Sequence, residues 1–149
     1  MQGFLNKDQI NNILTSQSIG RLACCDGLHP YIIPINYAYD GKYVYGQTNP
    51  GTKLDIMRVN PYVSFEVELV TNMRNWQSIV LQGEFEELWD EPADEAWSTF
   101  RRNLFMVRTI TKVHAHEHEV NSRMDDENRL KLVMFRITIN EITGKYERE

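Results

Sequence analysis

Two Asp-Gly pairs divide the first third of the sequence into three short runs rich in aromatic and β-branched residues. The runs cover 19–25, 30–39 and 42–48, and the gaps hold Asp26-Gly27 and Asp40-Gly41. An Asp-Gly pair between two such runs is a strong signal for a tight hairpin turn. The sequence therefore predicts three consecutive antiparallel strands.

Three later segments also have the pattern of strands. Residues 62–69 alternate between apolar and polar side chains, which indicates a strand with one buried face. Residues 76–89 form a longer run in which Gly83 predicts a bulge or a bend. The last run, 132–142, is expected to end before Thr143-Gly144.

Helical signals flank these strands. Asn6 and Gln9 fit a capping box at the start of a helix over 7–17. A short helix is expected from about 52 to 59, and a longer one over 92–105 separates the fifth strand from the sixth. The segment 106–130 carries weak signals and is expected to have low order, or order that a partner confers.

The arrangement of these elements predicts the fold class. A sheet with exposed edges is prone to association, and closure into a barrel removes the edges. We expect a single domain over 1–149 that is mainly β with flanking helices: a six-stranded antiparallel β-barrel with Greek-key connections.

Composition excludes some classes of function. The chain has 149 residues and a formal net charge of −5, which argues against a general nucleic-acid binder. No apolar run is long enough to cross a bilayer, and no apolar signal core follows Met1. The adjacent Cys24 and Cys25 would form a strained disulfide, so we expect free thiols and a cytoplasmic protein.

The start of the short helix is the clearest candidate binding site. Gly51 allows close approach of the backbone, Thr52 offers a hydroxyl, and Lys53 offers a positive charge. Free N–H groups at a helix start complete a site suited to phosphate. The alternative is that Thr52 only caps the helix and Lys53 is solvated.

The second strand contains two prolines, Pro30 and Pro34. Proline has no N–H to give to a neighbouring strand. One side of this strand is therefore expected to be unpaired, bulged, or facing a ligand.

The order and spacing of several short motifs resemble those of the pyridoxamine phosphate oxidase-like flavin-binding split barrels, in particular the branch with nitroimidazole-resistance proteins. The motifs are Gly20-Arg21-Leu22, Pro34-Ile35-Asn36-Tyr37, Gly51-x-Lys53-Leu54, Asn60-Pro61, and Trp76-x-Ser78 with Gly83.

The resemblance implies a split barrel that forms a homodimer with two FMN molecules between the subunits. Lys53 and Thr52 would bind the FMN phosphate. Thr48 and Asn49 match positions that face the ribityl chain and phosphate. Three further residues, Pro34, Ile35 and Asn36, match the strand whose backbone lies along the isoalloxazine, and a fourth, Ser78, matches a polar position near the ring edge.

Two departures from the family bear on activity. Nitroimidazole-resistance relatives often have histidines at the positions of Gly46 and Thr52, so that specific reductase activity is not expected here. Pyridoxamine phosphate oxidase holds its substrate with a basic C-terminal segment, where this chain supplies only Lys145 and Arg148.

The stretch "HAHEH" suggests a metal site. His114, His116 and His118 would share one face of an extended segment, as three imidazole ligands for zinc or copper. The alternative is a solvated or dimer-facing polar loop, and a histidine there could also donate a proton to a substrate.

The activity expected from the resemblance is that of an FMN-dependent oxidoreductase. A nicotinamide or another donor would reduce the flavin, and a small oxidised molecule would take the electrons. Two alternatives stay open: a non-catalytic flavin-binding sensor or store, and a haem-handling protein on the same barrel with a histidine of 114–118 as axial ligand.

Overall fold

The protein is described from a computed structural model, which covers residues 1–110 and 132–149, with the side chains of 1–103 and 132–149. Its elements in chain order are β1 (Gln2–Phe4), α1 (Lys7–Ser16), β2 (Ile19–Cys25), β3 (Pro30–Tyr39), β4 (Tyr43–Thr48), α2 (Thr52–Val59), β5 (Tyr62–Asn72), β6 (Asn75–Leu88), α3 (Asp90–Ile110) and β7 (Val133–Glu147). The three histidines of "HAHEH" lie outside the described residues.

The six long strands close into an antiparallel barrel. Their order is β7-β4-β3-β2-β5-β6, and pairing of β6 with β7 completes the circle. The first three strands of the barrel form the predicted meander, and β5 returns to the other side of β2. The predicted six-stranded Greek-key barrel is therefore confirmed.

One short strand was not predicted, and the predicted end of the last strand was wrong. The short β1 was not predicted, because three residues carry no usable periodicity; it pairs with the end of β7. The last strand does not stop before Thr143-Gly144 but runs on to Glu147. Gly144 is needed there for close packing, since a side chain would come within 2.9 Å of Leu5.

Gly83 marks a bulge between β6 and β7, as the sequence predicts. The register shifts between Gln82 and Gly83, and Asn140 is the extra residue on β7. A Cβ at Gly83 would lie 2.4 Å from the carbonyl oxygen of Thr138. Only glycine allows the two strands to approach this closely.

The barrel interior is filled by the alternate apolar residues of its strands. Tyr37 and Phe65 meet edge to face with ring centroids 5.1 Å apart, and Phe85 and Phe135 lie 5.2 Å apart. Further fully buried residues are Leu22, Val44, Val67, Ile79, Leu81 and Ile137. Burial of these side chains supplies most of the stabilisation.

Each helix has its own place on the barrel. In α1, the capping box of Asn6 and Gln9 is present, and the buried face packs into the barrel core. In α2, the buried residues Leu54 and Met57 join the same core. In contrast, α3 packs outside the barrel, where Phe100 forms a second small core. No helix in the described part of the chain is both long and apolar enough to cross a membrane.

The docking of α1 depends on a buried hydrogen bond, which gives a testable prediction. The Tyr37 hydroxyl donates to the carbonyl oxygen of Leu14 in the last turn of α1, at 2.7 Å. Tyr37→Phe leaves that carbonyl without a donor and should lower the free energy of unfolding by about 1–3 kcal/mol in urea denaturation. Tyr39→Phe is the control, because the Tyr39 hydroxyl bonds to the less buried Asn11. Equal losses in the two variants would contradict the prediction.

The turn at Asp40 gives a prediction about acid stability. Burial acts to raise the pKa of Asp40. Its carboxylate accepts hydrogen bonds from the backbone N–H groups of Tyr43 and Lys42 and from the Tyr45 hydroxyl, and together these bonds lower the pKa below its ordinary value. Because the folded pKa lies below the unfolded value, this stabilisation is present above about pH 4 and is lost as the pH falls further. Asp40→Asn should therefore destabilise the protein at pH 7 but much less at pH 3, as measured by the urea midpoint. The prediction would be contradicted if Asp40→Asn lowered the urea midpoint by the same amount at pH 7 and at pH 3.

Candidate functional site

The barrel is split between β3 and β4, and the split creates the candidate site. These two strands share three residue pairs, which run from Tyr37 opposite Gly46 to Tyr39 opposite Val44. Beyond Gly46, β4 continues beside β7 through Thr48, while β3 continues beside β2 through Pro30. Among the residues that the structure describes, one backbone edge of the first seven residues of β3 therefore has no neighbouring strand.

The two prolines of β3 lie on this open edge. Tyr37 donates its backbone N–H to Ser18 on the β2 side, at 3.0 Å. Because alternate residues of a strand point their N–H and C=O groups the same way, Asn36, Pro34 and Pro30 point to the open edge. Proline has no N–H that would need an acceptor at this edge, so the edge presents the N–H groups of Ile32 and Asn36 and the carbonyl oxygens of the same alternate residues.

The start of α2 lies at the end of β4, beside the split. Gly51 is the N-cap residue, and no side chain caps the helix. The first helical hydrogen bond runs from the Asp55 N–H to the Gly51 carbonyl, at 3.1 Å. The N–H groups of the first three helical residues therefore have no acceptor within the helix. A Cβ built on Gly51 meets no atom of the described residues within 4 Å.

The alternative in which Thr52 caps α2 was wrong. Thr52 is the first residue of the helix and is exposed. Lys53 is half-buried, so its side chain is partly shielded from solvent. Burial and the neighbouring Cys25 raise the pKa of the Cys24 thiol, and the positive charge of Lys53 opposes them.

Two interactions fix the other end of α2. Arg58 forms a bidentate pair with Glu87 of β6, with N–O distances of 2.9 and 2.7 Å. The Asn60 side-chain amide donates to the Cys25 carbonyl at 3.0 Å, which ties the helix end to β2. Sequence analysis noted the Asn60-Pro61 motif without a role, and the structure shows that Asn60 anchors the helix.

Most of the sequence-predicted site residues lie around the split. Thr48 is buried, and its hydroxyl donates to the Asn49 carbonyl at 3.1 Å, whereas Asn49 is exposed. Pro34 and Asn36 are exposed, while the side chain of Ile35 is buried in the barrel and leaves only its backbone near the site. The pairing of β3 with β4 ends at Tyr37 and Gly46. If the same register continued, Ile35 would lie opposite Thr48, so this segment and Thr48 lie on the two sides of the opening.

Ser78 is far from Thr48 along β6, but the pairing of β6 with β5, β5 with β2 and β2 with β3 places it in the same row as Asn36, three strand spacings or about 14 Å away. Ser78 lies on β6, ten residues before Leu88. Leu88 pairs with Met134, and Thr48 pairs with the adjacent Val133. At about 3.3 Å per residue, Ser78 is about 30 Å along the strand from the end that carries Thr48.

One polar residue at the split was missed by sequence analysis. Gln47, beside Thr48, has a buried side-chain oxygen with no hydrogen-bond partner among the described residues. A buried acceptor without a donor costs free energy, and a ligand with an N–H or O–H group would satisfy it. Nothing in the sequence "YGQT" signals this, because burial of Gln47 depends on tertiary packing.

These observations fit a flat ligand that carries an anionic group. The uncapped helix start and Lys53 suit the anion, and the open strand edge suits a flat ring with donors and acceptors along one side. No cluster of three or more metal-ligating side chains occurs within residues 1–103 and 132–149.

An antiparallel barrel that opens between two strands beside an uncapped helix start is a split β-barrel. The chain belongs to the pyridoxamine 5'-phosphate oxidase family, whose sequence profile matches residues 6–146.

Individual relatives agree with this assignment. An uncharacterized protein from Rhizobium meliloti is 37% identical over 84 residues, a stretch that is 56% of this chain and only 56% of that protein. The chain thus spans about half the length of this curated relative. A crystal structure of a FAD-binding protein from Mesorhizobium loti is 29% identical, covers 100% of this chain and 98% of its own, and has a TM-score of 0.71. A candidate 5-nitroimidazole antibiotic resistance protein from Bacteroides thetaiotaomicron, 19% identical, shares the fold with a TM-score of 0.72 over 98% of this chain and 87% of its own.

Proposed function

We propose that this protein binds FMN and uses it as an oxidoreductase. The observation that carries the proposal is the uncapped N-terminus of α2, with Lys53 beside it, at the point where the barrel splits. A free phosphate group is the ligand that such a helix start binds best.

The residues around the split have complementary roles in this proposal. The α2 N–H groups, the Thr52 hydroxyl and Lys53 hold the phosphate. Thr48 and Asn49 line the path of the ribityl chain. The open edge of Pro34, Ile35 and Asn36 orients the ring through backbone groups, as a flat ligand with a polar edge requires. When bound, FMN supplies reversible electron transfer, and the protein holds and orients it.

FAD is the alternative cofactor, because the Mesorhizobium loti relative is described as FAD-binding. FMN is favoured because its phosphate is a terminal monoester. Such a phosphate carries up to two negative charges, which the helix start and Lys53 can both stabilise. Titration of the flavin-free protein with FMN, FAD and riboflavin, followed by flavin fluorescence, decides between them. We expect FMN to bind tightest; absence of saturable binding of any flavin to the folded chain at about 100 µM would overturn the proposal.

The oxidoreductase part has its own test. Anaerobic stopped-flow mixing of the FMN-loaded protein with NADH or NADPH should bleach the flavin absorption, and a small oxidised acceptor should restore it. Flavin that no tested donor reduces would favour a non-catalytic store or sensor. A Soret band in the absorption spectrum of the purified protein would instead favour the haem-handling alternative.

We propose that the functional unit is a homodimer with FMN at the subunit interface. The resemblance to the flavin-binding split barrels supports this proposal, and Ser78 on β6 is the residue that it places near the ring edge of the flavin. We also expect the protein to act in the cytoplasm, because Cys24 and Cys25 are both free thiols and a reducing compartment keeps them so.

A further inference from the structure

The short helix α2 has an uncapped start and an anchored end. At its start, Gly51 is the N-cap residue and no side chain caps the helix. Near its end, Arg58 donates two hydrogen bonds to the carboxylate of Glu87 on β6, with distances of 2.9 and 2.7 Å. The direction of the free N–H groups at the start therefore depends on the interactions that hold the rest of the helix.

The apolar contacts of α2 hold it against the barrel without fixing its rotation. Leu54 and Met57 are buried, with exposed fractions of 0% and 1%. Burial of apolar surface is non-directional, so it opposes separation of the helix from the barrel more than a small rotation about the helix axis. A bidentate pair between a guanidinium and a carboxylate has a fixed planar geometry, and it does resist such a rotation.

Glu87 is a rigid partner for this pair. It is the last residue but one of β6, and it pairs with Phe135 in a strand ladder that runs from Trp76 to Leu88. Its side chain is only 13% exposed, whereas that of Arg58 is 43% exposed. Because the barrel holds the carboxylate and largely shields it from water, the pair is screened less than a fully exposed ion pair.

We propose that Arg58 and Glu87 are positioning residues for the phosphate of the flavin, an inference that rests on the proposed function. They act through the helix rather than by contact, since Arg58 lies about 9 Å along the helix axis from Thr52 at 1.5 Å per residue. The pair fixes the rotation of α2, and α2 aims its free N–H groups at the phosphate. A displacement of about 1 Å is enough to weaken an oriented contact of this kind strongly.

The sign of the charge separates this role from simple electrostatics. Glu87 is negative, so the loss of its charge removes a repulsion and, by charge alone, would leave FMN binding equal or tighter. Loss of a pair that orients the helix has the opposite effect, because the N–H groups are then aimed less well. The variant Glu87→Gln therefore gives opposite results for the two explanations.

Fluorescence titration of the flavin-free variants with FMN and with riboflavin tests the proposal. Glu87→Gln should weaken FMN binding by about fivefold or more, whereas riboflavin, which has no phosphate, should keep its affinity within about twofold. Arg58→Lys keeps the positive charge but loses the bidentate geometry, so it should also weaken the binding of FMN and not that of riboflavin.

Asp55→Asn is the matched control. The carboxylate of Asp55 is 75% exposed and lies 4.0 Å from Arg58, so removal of its charge leaves the pair with Glu87 in place. FMN affinity is expected to be equal or tighter in this variant, because a negative charge near the phosphate is removed. Urea unfolding of each variant checks the fold, since a variant that only loosens the structure should lose affinity for both flavins.

Two results would overturn the positioning role. One is a folded Glu87→Gln protein that binds FMN as well as the wild type does, or that loses the same factor for riboflavin. The other is an Arg58→Lys protein with wild-type FMN affinity, and this variant decides the question if Glu87→Gln does not fold. A wild-type chain that binds no flavin overturns the proposed function and this inference with it, whereas a wild type that binds FMN while both variants are unchanged overturns the inference alone.

Discussion

Lys53→Ala is expected to weaken FMN binding by about 10- to 100-fold, the largest effect of any single change at the phosphate site. A hydrogen bond to a charged group contributes about 1.5–3 kcal/mol, and each 1.4 kcal/mol is a factor of ten in affinity. Lys53 is half-buried at the second position of α2, where solvent screens its charge less than at an exposed site. Fluorescence titration of the flavin-free variant with FMN measures the loss.

Two controls separate a phosphate contact from a general loss of structure. Riboflavin lacks the phosphate, so its affinity should be the same for the wild type and for Lys53→Ala. Lys42→Ala removes an exposed lysine in the turn between β3 and β4, and it should leave FMN binding unchanged. An FMN affinity that is unchanged in Lys53→Ala would remove this lysine from the site.

Gly46→His is expected to lower the free energy of unfolding by at least about 3 kcal/mol. Gly46 lies on β4 with its missing side chain directed into the barrel, where a Cβ would come within 2.5 Å of the Phe135 ring. Phe135 is fully buried and packs on Phe85, so the ring has little room to move. The substitution adds both overpacking and a buried imidazole without a prepared partner.

The result bears on function, because histidine is the residue expected at this position in nitroimidazole-resistance relatives. Urea unfolding measured by tryptophan fluorescence should show the destabilisation. Gly51→Ala is the matched control: its Cβ would meet nothing within 4 Å, and its φ of 168° is extended, so the change should be within about 0.5 kcal/mol. A Gly46→His protein as stable as the wild type would show that Phe135 does not exclude this side chain.

Much of the barrel could be predicted because its signals are local. The Asp-Gly turns at 26–27 and 40–41 fix two hairpins without reference to the rest of the chain. Alternation in 62–69 marks a strand whatever its partner, and Gly83 marked the bulge. In contrast, β1 and the last five residues of β7 form because the neighbouring strand is there to pair with, and that is a tertiary effect.

The candidate site also contains residues that local sequence predicts and residues whose role depends on tertiary packing. Gly51, Thr52 and Lys53 are adjacent in sequence, so their grouping at a helix start could be predicted directly. Gln47 could not, since an unsatisfied buried oxygen depends on what surrounds the side chain. Ser78 was placed near the flavin by resemblance alone, since its position relative to Asn36 depends on how β6, β5, β2 and β3 pair.

The sequence by itself determined the number of barrel strands, the turns that join the first three, and the helix start at residues 51–53, because each depends on neighbours within a few positions. Only the tertiary structure decided where the barrel opens, which edge of β3 is free, and that Gly46 faces Phe135. Those features arise when β4 leaves β3 to pair with β7, a strand about ninety residues later in the chain. Long-range pairing of this kind leaves no local trace in the sequence.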